Sequence, residues 1–175
     1  ENNLILDLEN GTDYVDSLNV KINTIADIQT IGEKVKAAGK PYKYITVDTV
    51  TVLEDLVKPM ALKNFKKTPI GKNYQEDDIL KLAQGGGYFW LREAFFGVLD
   101  YIDTLADNII LSGHIKDKLV ADSGEMVQAA SIDLTGKIKS LICGKADAVG
   151  YLYRKDNQTI LSFKSNDEVT CGARP

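Results

Sequence analysis

The chain has 175 residues, 44% of them hydrophobic and 26% charged, with a formal net charge of −4. That composition suits one domain with a real core and excludes a disordered chain; its acidity argues against a general nucleic-acid coat. No apolar run approaches the roughly 18 residues needed to span a bilayer, and no secretory leader is expected at Glu1. Two cysteines, Cys143 and Cys171, suggest free thiols in a reducing compartment, so the cytoplasm is the expected location. With one histidine, His114, and no CxxC spacing, a Cys/His zinc site lacks its ligands.

Residues 4–8 (Leu-Ile-Leu-Asp-Leu) form an apolar run closed by the turn signal Glu9-Asn10-Gly11, and predict a buried strand. Thr24 is a plausible N-cap for a helix carrying Ile25, Ile28, Ile31 and Val35, stopped by Gly39 and Pro41. Residues 44–48 predict a second strand. A helix is expected from about Val52, with Pro59 kinking or ending it. Residues 58–87 carry Lys58, Lys63, Lys66, Lys67 and Lys72, then Glu76, Asp77 and Asp78, and suggest a surface excursion or insertion. After Gly85-Gly86-Gly87, the spacing of Leu91, Phe95, Val98, Ile102 and Leu105 predicts an amphipathic helix. Residues 108–113 predict the third buried strand, with His114 at its end. Beyond it, strands are expected over 126–134 and 146–154, a short helix over 135–143, and a hairpin partner over 159–164 across Asp156-Asn157.

The alternation of strand and helix predicts an α/β fold. We expect a three-layer core, a mainly parallel sheet with helices on both faces, and antiparallel strands added at the C-terminal end along one edge. In a parallel sheet, ligands bind beyond the carboxyl ends of the strands. Asp7 and Glu9 end the first strand, Asp48 the second, and His114 the third, which suggests a site for a metal and an anion. Each has a structural alternative: Asp48 could cap the following helix, Asp7 could bond neighbouring backbone, Glu9 could be a solvated turn residue, and a lone His is more often structural. The Gly-Lys pairs at 39–40, 71–72 and 136–137 lack the spacing of a phosphate loop, Gly85–Gly87 lies in no G-x-G-x-x-G, and Ser112-Gly113-His114 makes no nucleophilic triad.

The first strand with its Glu9-Asn10-Gly11 turn, the run Tyr44-Ile-Thr-Val-Asp-Thr49, and Ile110-Leu-Ser-Gly-His-Ile-Lys-Asp-Lys118 resemble successive motifs of one family. So do residues 133–137, 146–154 and 172–175. The family is that of phage-encoded RecA-like P-loop ATPases, the AAA-type nucleotide-binding proteins related to phage annealing and recombination ATPases. The resemblance covers nearly the whole chain and is weakest over 58–87. It implies one RecA-like core over residues 1–175, with ATP and Mg²⁺ as cofactors. Asp48 would hold Mg²⁺ through water, with Thr49 beside it at the nucleotide. Glu9 would activate the attacking water, and His114 would sense the γ-phosphate. Lys116, Lys118 or Arg174 would offer positive charge to a nucleotide held by a neighbouring subunit, which implies a homo-oligomer.

The same resemblance implies work in phage DNA recombination, annealing or replication in the host bacterial cytoplasm, with single-stranded DNA as a partner and no membrane. The stretch 122–130, where such proteins keep a DNA-facing loop, has no Lys or Arg, and the lysines of 58–72 are the better electrostatic candidate. The family's Gly-rich loop would precede Glu1. Either those residues lie upstream of this chain, which the missing initiator Met and the start in mid-fold favour, or the chain is a degenerate homologue serving as an assembly or virion structural protein.

Overall fold

A computed structural model describes residues 2–122, 125–165 and 171–173. The chain divides into two compact units, Glu1–Gly113 and His114–Pro175.

The first unit contains β1 (Asn3–Asp7), β2 (Asn19–Lys21), α1 (Ile25–Ala37), β3 (Tyr44–Asp48), α2 (Val50–Lys66), α3 (Gly86–Asp103) and β4 (Asn108–Leu111). The strands form one parallel sheet in the order β2-β1-β3-β4. Its register places Leu4, Ile45 and Ile109 in one row and Leu6, Val47 and Leu111 in another. Leu4, Leu6, Ile45 and Val47 are buried. Each such side chain contributes about 1.5–3 kcal/mol relative to an exposed one, so this face fixes the register. Helices α1 and α3 touch, with the Tyr101 hydroxyl donating to the Gln29 carbonyl at 3.3 Å, and α2 packs along α3. On the opposite face Ile5 and Thr46 are half-buried and Ile110 is 48% exposed, so that side is the less covered among the described residues.

Helix α1 starts where the sequence places it. Thr24 accepts from the Asp27 amide, and Asp27 accepts from the Asn23 and Thr24 amides, a reciprocal cap. Of the two outcomes expected at Pro59, helix α2 does not end there and runs on to Lys66. Proline removes the N–H that the Asp55 carbonyl would accept. Asp55 and Pro59 are both exposed, so water can satisfy that carbonyl, while Val57, Ala61 and Phe65 hold the helix to the core.

Residues 58–66, expected in the excursion, therefore belong to α2. Between α2 and α3 the chain makes three 3-10 turns, Gly71–Asn73, Ile79–Lys81 and Ala83–Gly85, packed closely on the helices. A Cβ on Gly71 would lie 2.1 Å from the Phe65 carbonyl oxygen, and one on Gly87 2.0 Å from that of Ile79. Ile79 itself is 1% exposed.

The second unit holds β5 (Ile115–Asp122), β6 (Glu125–Ile132), α4 (Ile138–Lys145), β7 (Ala148–Val149), β8 (Tyr151–Lys155), β9 (Gln158–Ser162) and β10 (Gly172–Ala173). The expected antiparallel strands are present, but among the described residues they pair with one another, as β5–β6, β8–β9 and β7–β10, and not with the parallel sheet. The β8–β9 hairpin closes through a tight turn. Asp156 and Asn157 both have positive φ (49° and 60°), the backbone that a two-residue hairpin requires. The α/β class, with a parallel sheet flanked by helices and C-terminal antiparallel hairpins, agrees with the sequence reading.

Candidate functional site

The carboxyl ends of β1, β3 and β4 lie side by side. Asp7 and Asp48 are direct neighbours across the parallel ladder, and Val47 is opposite Leu111. The ladder continues past the strands: the Leu8 amide donates to the Asp48 carbonyl at 2.7 Å, and the Val50 amide to the Ser112 carbonyl at 2.8 Å.

Asp7 is fully buried and organises the loop that follows it. Its Oδ1 accepts the Glu9 and Gly11 amides, both at 3.2 Å, and its Oδ2 accepts the Thr12 amide at 3.3 Å and the Thr12 hydroxyl at 2.6 Å. Burial pushes its pKa up, but the Thr12 hydroxyl and the Gly11, Thr12 and Glu9 amides together outweigh it and hold the carboxyl below its usual value. Asp7 is thus the backbone-bonding residue of the two readings. It shapes the turn from which Glu9 projects.

Glu9 is exposed, and its Oε1 accepts the Thr49 hydroxyl at 2.6 Å. Thr49 is buried and caps α2, its Oγ1 accepting the Val52 amide at 3.4 Å. The cap of α2 is therefore Thr49 and not Asp48. The Asp48 carboxylate is left facing the sheet edge, where the Ser112 hydroxyl donates to its Oδ1 at 2.5 Å. The Ser112 amide donates to the Val47 carbonyl at 3.1 Å, which locks this serine against β3.

Of the residues singled out from sequence, Glu9, Asp48 and Thr49 come together in the first unit. His114 opens the second unit, with its carbonyl accepting the Asp133 amide at 2.8 Å. Lys116, on β5, pairs with Asp133 at 3.4 Å, and both are largely solvated. Lys118 lies on β5 opposite Ala129. Arg174 falls outside the described residues. Ser112 is not singled out by sequence alone, because it falls opposite Asp48 only through the parallel register of β4 with β3.

Among the described residues no three His, Cys, Asp or Glu side chains cluster as a metal cage. Mg²⁺ does not need one, since it commonly takes one or two carboxylates, water and substrate phosphate. Asp48, a hard oxygen donor with Oδ1 fixed by Ser112, fits that mode. No described helix is long and apolar enough to cross a membrane.

A parallel sheet with acids gathered at its carboxyl edge defines the class of α/β proteins that handle ligands beyond their strand ends. The chain belongs to the AAA domain family of P-loop NTPases, whose family model matches residues 1–174. No curated protein and no solved structure matches it.

Proposed function

We propose that this chain carries the catalytic-acid side of a Mg²⁺-dependent ATPase that acts in phage DNA recombination, annealing or replication. The observation that carries this reading is the Glu9–Thr49–Asp48–Ser112 constellation at one sheet edge. Glu9 is the base: its carboxylate takes a proton from water as the water oxygen bonds to the γ-phosphorus and the bond to the ADP oxygen breaks. Thr49 holds that carboxylate by one oxygen, and the Asp7 network fixes the backbone from which it reaches. Asp48 would hold Mg²⁺ through water, and the ion would offset phosphate charge.

His114 is assigned as the γ-phosphate sensor. Lys116, Lys118 and Arg174 are assigned as cations offered to a nucleotide on the next subunit of a homo-oligomer. Such cations act where negative charge builds up during transfer. The Lys116–Asp133 pair is surface-exposed and weak, so that lysine can exchange partners at little cost.

The test is ATP turnover by the protein expressed from its whole open reading frame. Glu9→Gln should slow the chemical step by about 10²–10⁴-fold with nucleotide binding retained. Turnover equal to wild type would remove Glu9 from the role of base. Asp48→Asn should instead raise the Mg²⁺ concentration needed for half-maximal rate. If the wild-type protein neither binds nor hydrolyses ATP, the reading as a degenerate assembly or virion structural protein takes its place.

A further inference from the structure

The geometry points to a single-stranded nucleic-acid site on the first unit, built from the C-terminal half of α2, the turn after it and the start of α3, away from the Glu9–Asp48 edge. It rests on the reading of this protein as one that works on DNA, but not on ATP hydrolysis.

The charge distribution supplies the first observation. Residues 58–72 contain five lysines and no acidic residue, in a chain whose net charge is −4. Lys58 is engaged by Asp55 at 2.6 Å. Lys63, Lys67 and Lys72 form no ion pair with the described residues. An open cleft of about 410 Å³ runs beside them, with Lys58, Lys63 and Lys66 on one wall and Asp77 and Asp78 on the other. Asp77 pairs with Lys81 at 3.2 Å.

Aromatic rings supply the second. Tyr74, Phe65, Trp90 and Phe89 form a continuous series with centroid separations of 5.3, 5.8 and 5.4 Å. A cation stands at each end: Lys66 lies 6.0 Å from the Tyr74 ring and Arg92 5.6 Å from the Phe89 ring. Phe65 anchors the series in the core at 5% exposure, whereas Phe89 is 47% and the adjacent Tyr88 48% exposed. Exposed rings on a rigid helix, together with Lys63, Lys67 and Lys72 outside any described ion pair, are the pairing that single strands require. Phosphates neutralise the lysines, and any base can stack on a ring. A duplex hides its base faces and could use the lysines alone. An acidic peptide would use the charge but gain little from the planar faces.

The experiment is binding of labelled oligothymidylate to the protein expressed from its whole open reading frame, without nucleotide and with EDTA, followed by anisotropy over a salt series. Glu9→Gln protein is run in parallel, so that loss of hydrolysis and loss of DNA binding are read separately. Wild type should bind, with log K falling as salt rises by about 0.7 per phosphate contact. Lys63→Gln with Lys66→Gln should flatten that slope. Phe89→Ala should weaken binding about fivefold or more at unchanged slope, and Phe89→Tyr should restore it. Thermal unfolding of each variant confirms a folded protein. The site is overturned if wild type shows no salt-sensitive binding, if duplex binds as well as the single strand, or if Phe89→Ala binds normally. It is equally overturned if polyglutamate competes as well as unlabelled oligothymidylate, which would mark the surface as one for an acidic protein.

Discussion

A carboxylate inside a protein survives only if its oxygens are met, and Asp7 meets that condition with four donors from residues 9–12. Asp7→Asn puts an NH₂ against the Thr12 or Gly11 donors. We expect a loss of about 1–3 kcal/mol in chemical denaturation, together with slower turnover because Glu9 loses its fixed backbone. The pH dependence has a definite sign. Since the folded-state pKa lies below the usual aspartate value of 3.8, Asp7 adds stability that is fully present above that value and is lost as pH falls through the lower, folded value. Denaturation midpoints measured between pH 5 and pH 2 should therefore fall less steeply in Asp7→Asn than in wild type. Thr49 has two duties, capping α2 and holding Glu9. Thr49→Val should lose both, while Thr49→Ser should keep them; a serine variant as slow as the valine one would show that the hydroxyl is not what matters.

Packing between elements sets where the sequence could be read and where it could not. The parallel strands, the Thr24 start of α1 and the amphipathic stripe of α3 were legible, because alternation, caps and 3.6-residue spacing are local signals. Whether α2 ends at Pro59 or passes through it was not. The cost of passing depends on whether one carbonyl is solvated, which only the tertiary arrangement decides. The turns of 67–85 were equally opaque, since their order comes from glycines pressed against carbonyls on other elements. At the site, Glu9 and Asp48 were legible as strand-end acids, and Ser112 was hidden because its significance lies in cross-strand register. Two substitutions probe this scale. Gly87→Ala, with its methyl driven into the Ile79 carbonyl, should destabilise by at least about 1–3 kcal/mol, and an unchanged melting temperature would contradict the close approach. Thr24→Ala should cost about 1 kcal/mol by removing the cap acceptor of α1, seen as an earlier denaturant midpoint at constant slope.

At the scale of the whole molecule, the assigned acids and cations fall into different units: Glu9 and Asp48 in the first, and Lys116 and Lys118 in the second. If the cations serve a neighbouring subunit, turnover per chain should rise with protein concentration and level off as light scattering reports assembly. Rates strictly proportional to concentration through that transition would assign them elsewhere. Lys116→Ala should then lower the plateau while leaving dilute-limit turnover unaltered.

Ser112 has a single hydroxyl proton but two acceptors within reach, Asp48 Oδ1 at 2.5 Å and the Val47 carbonyl at 3.2 Å. Only one can be served fully at a time. The shorter contact, to Asp48, is the one that proton serves. One hydroxyl thereby ties the end of β3 to the residue after β4 through a side chain and the main chain alike.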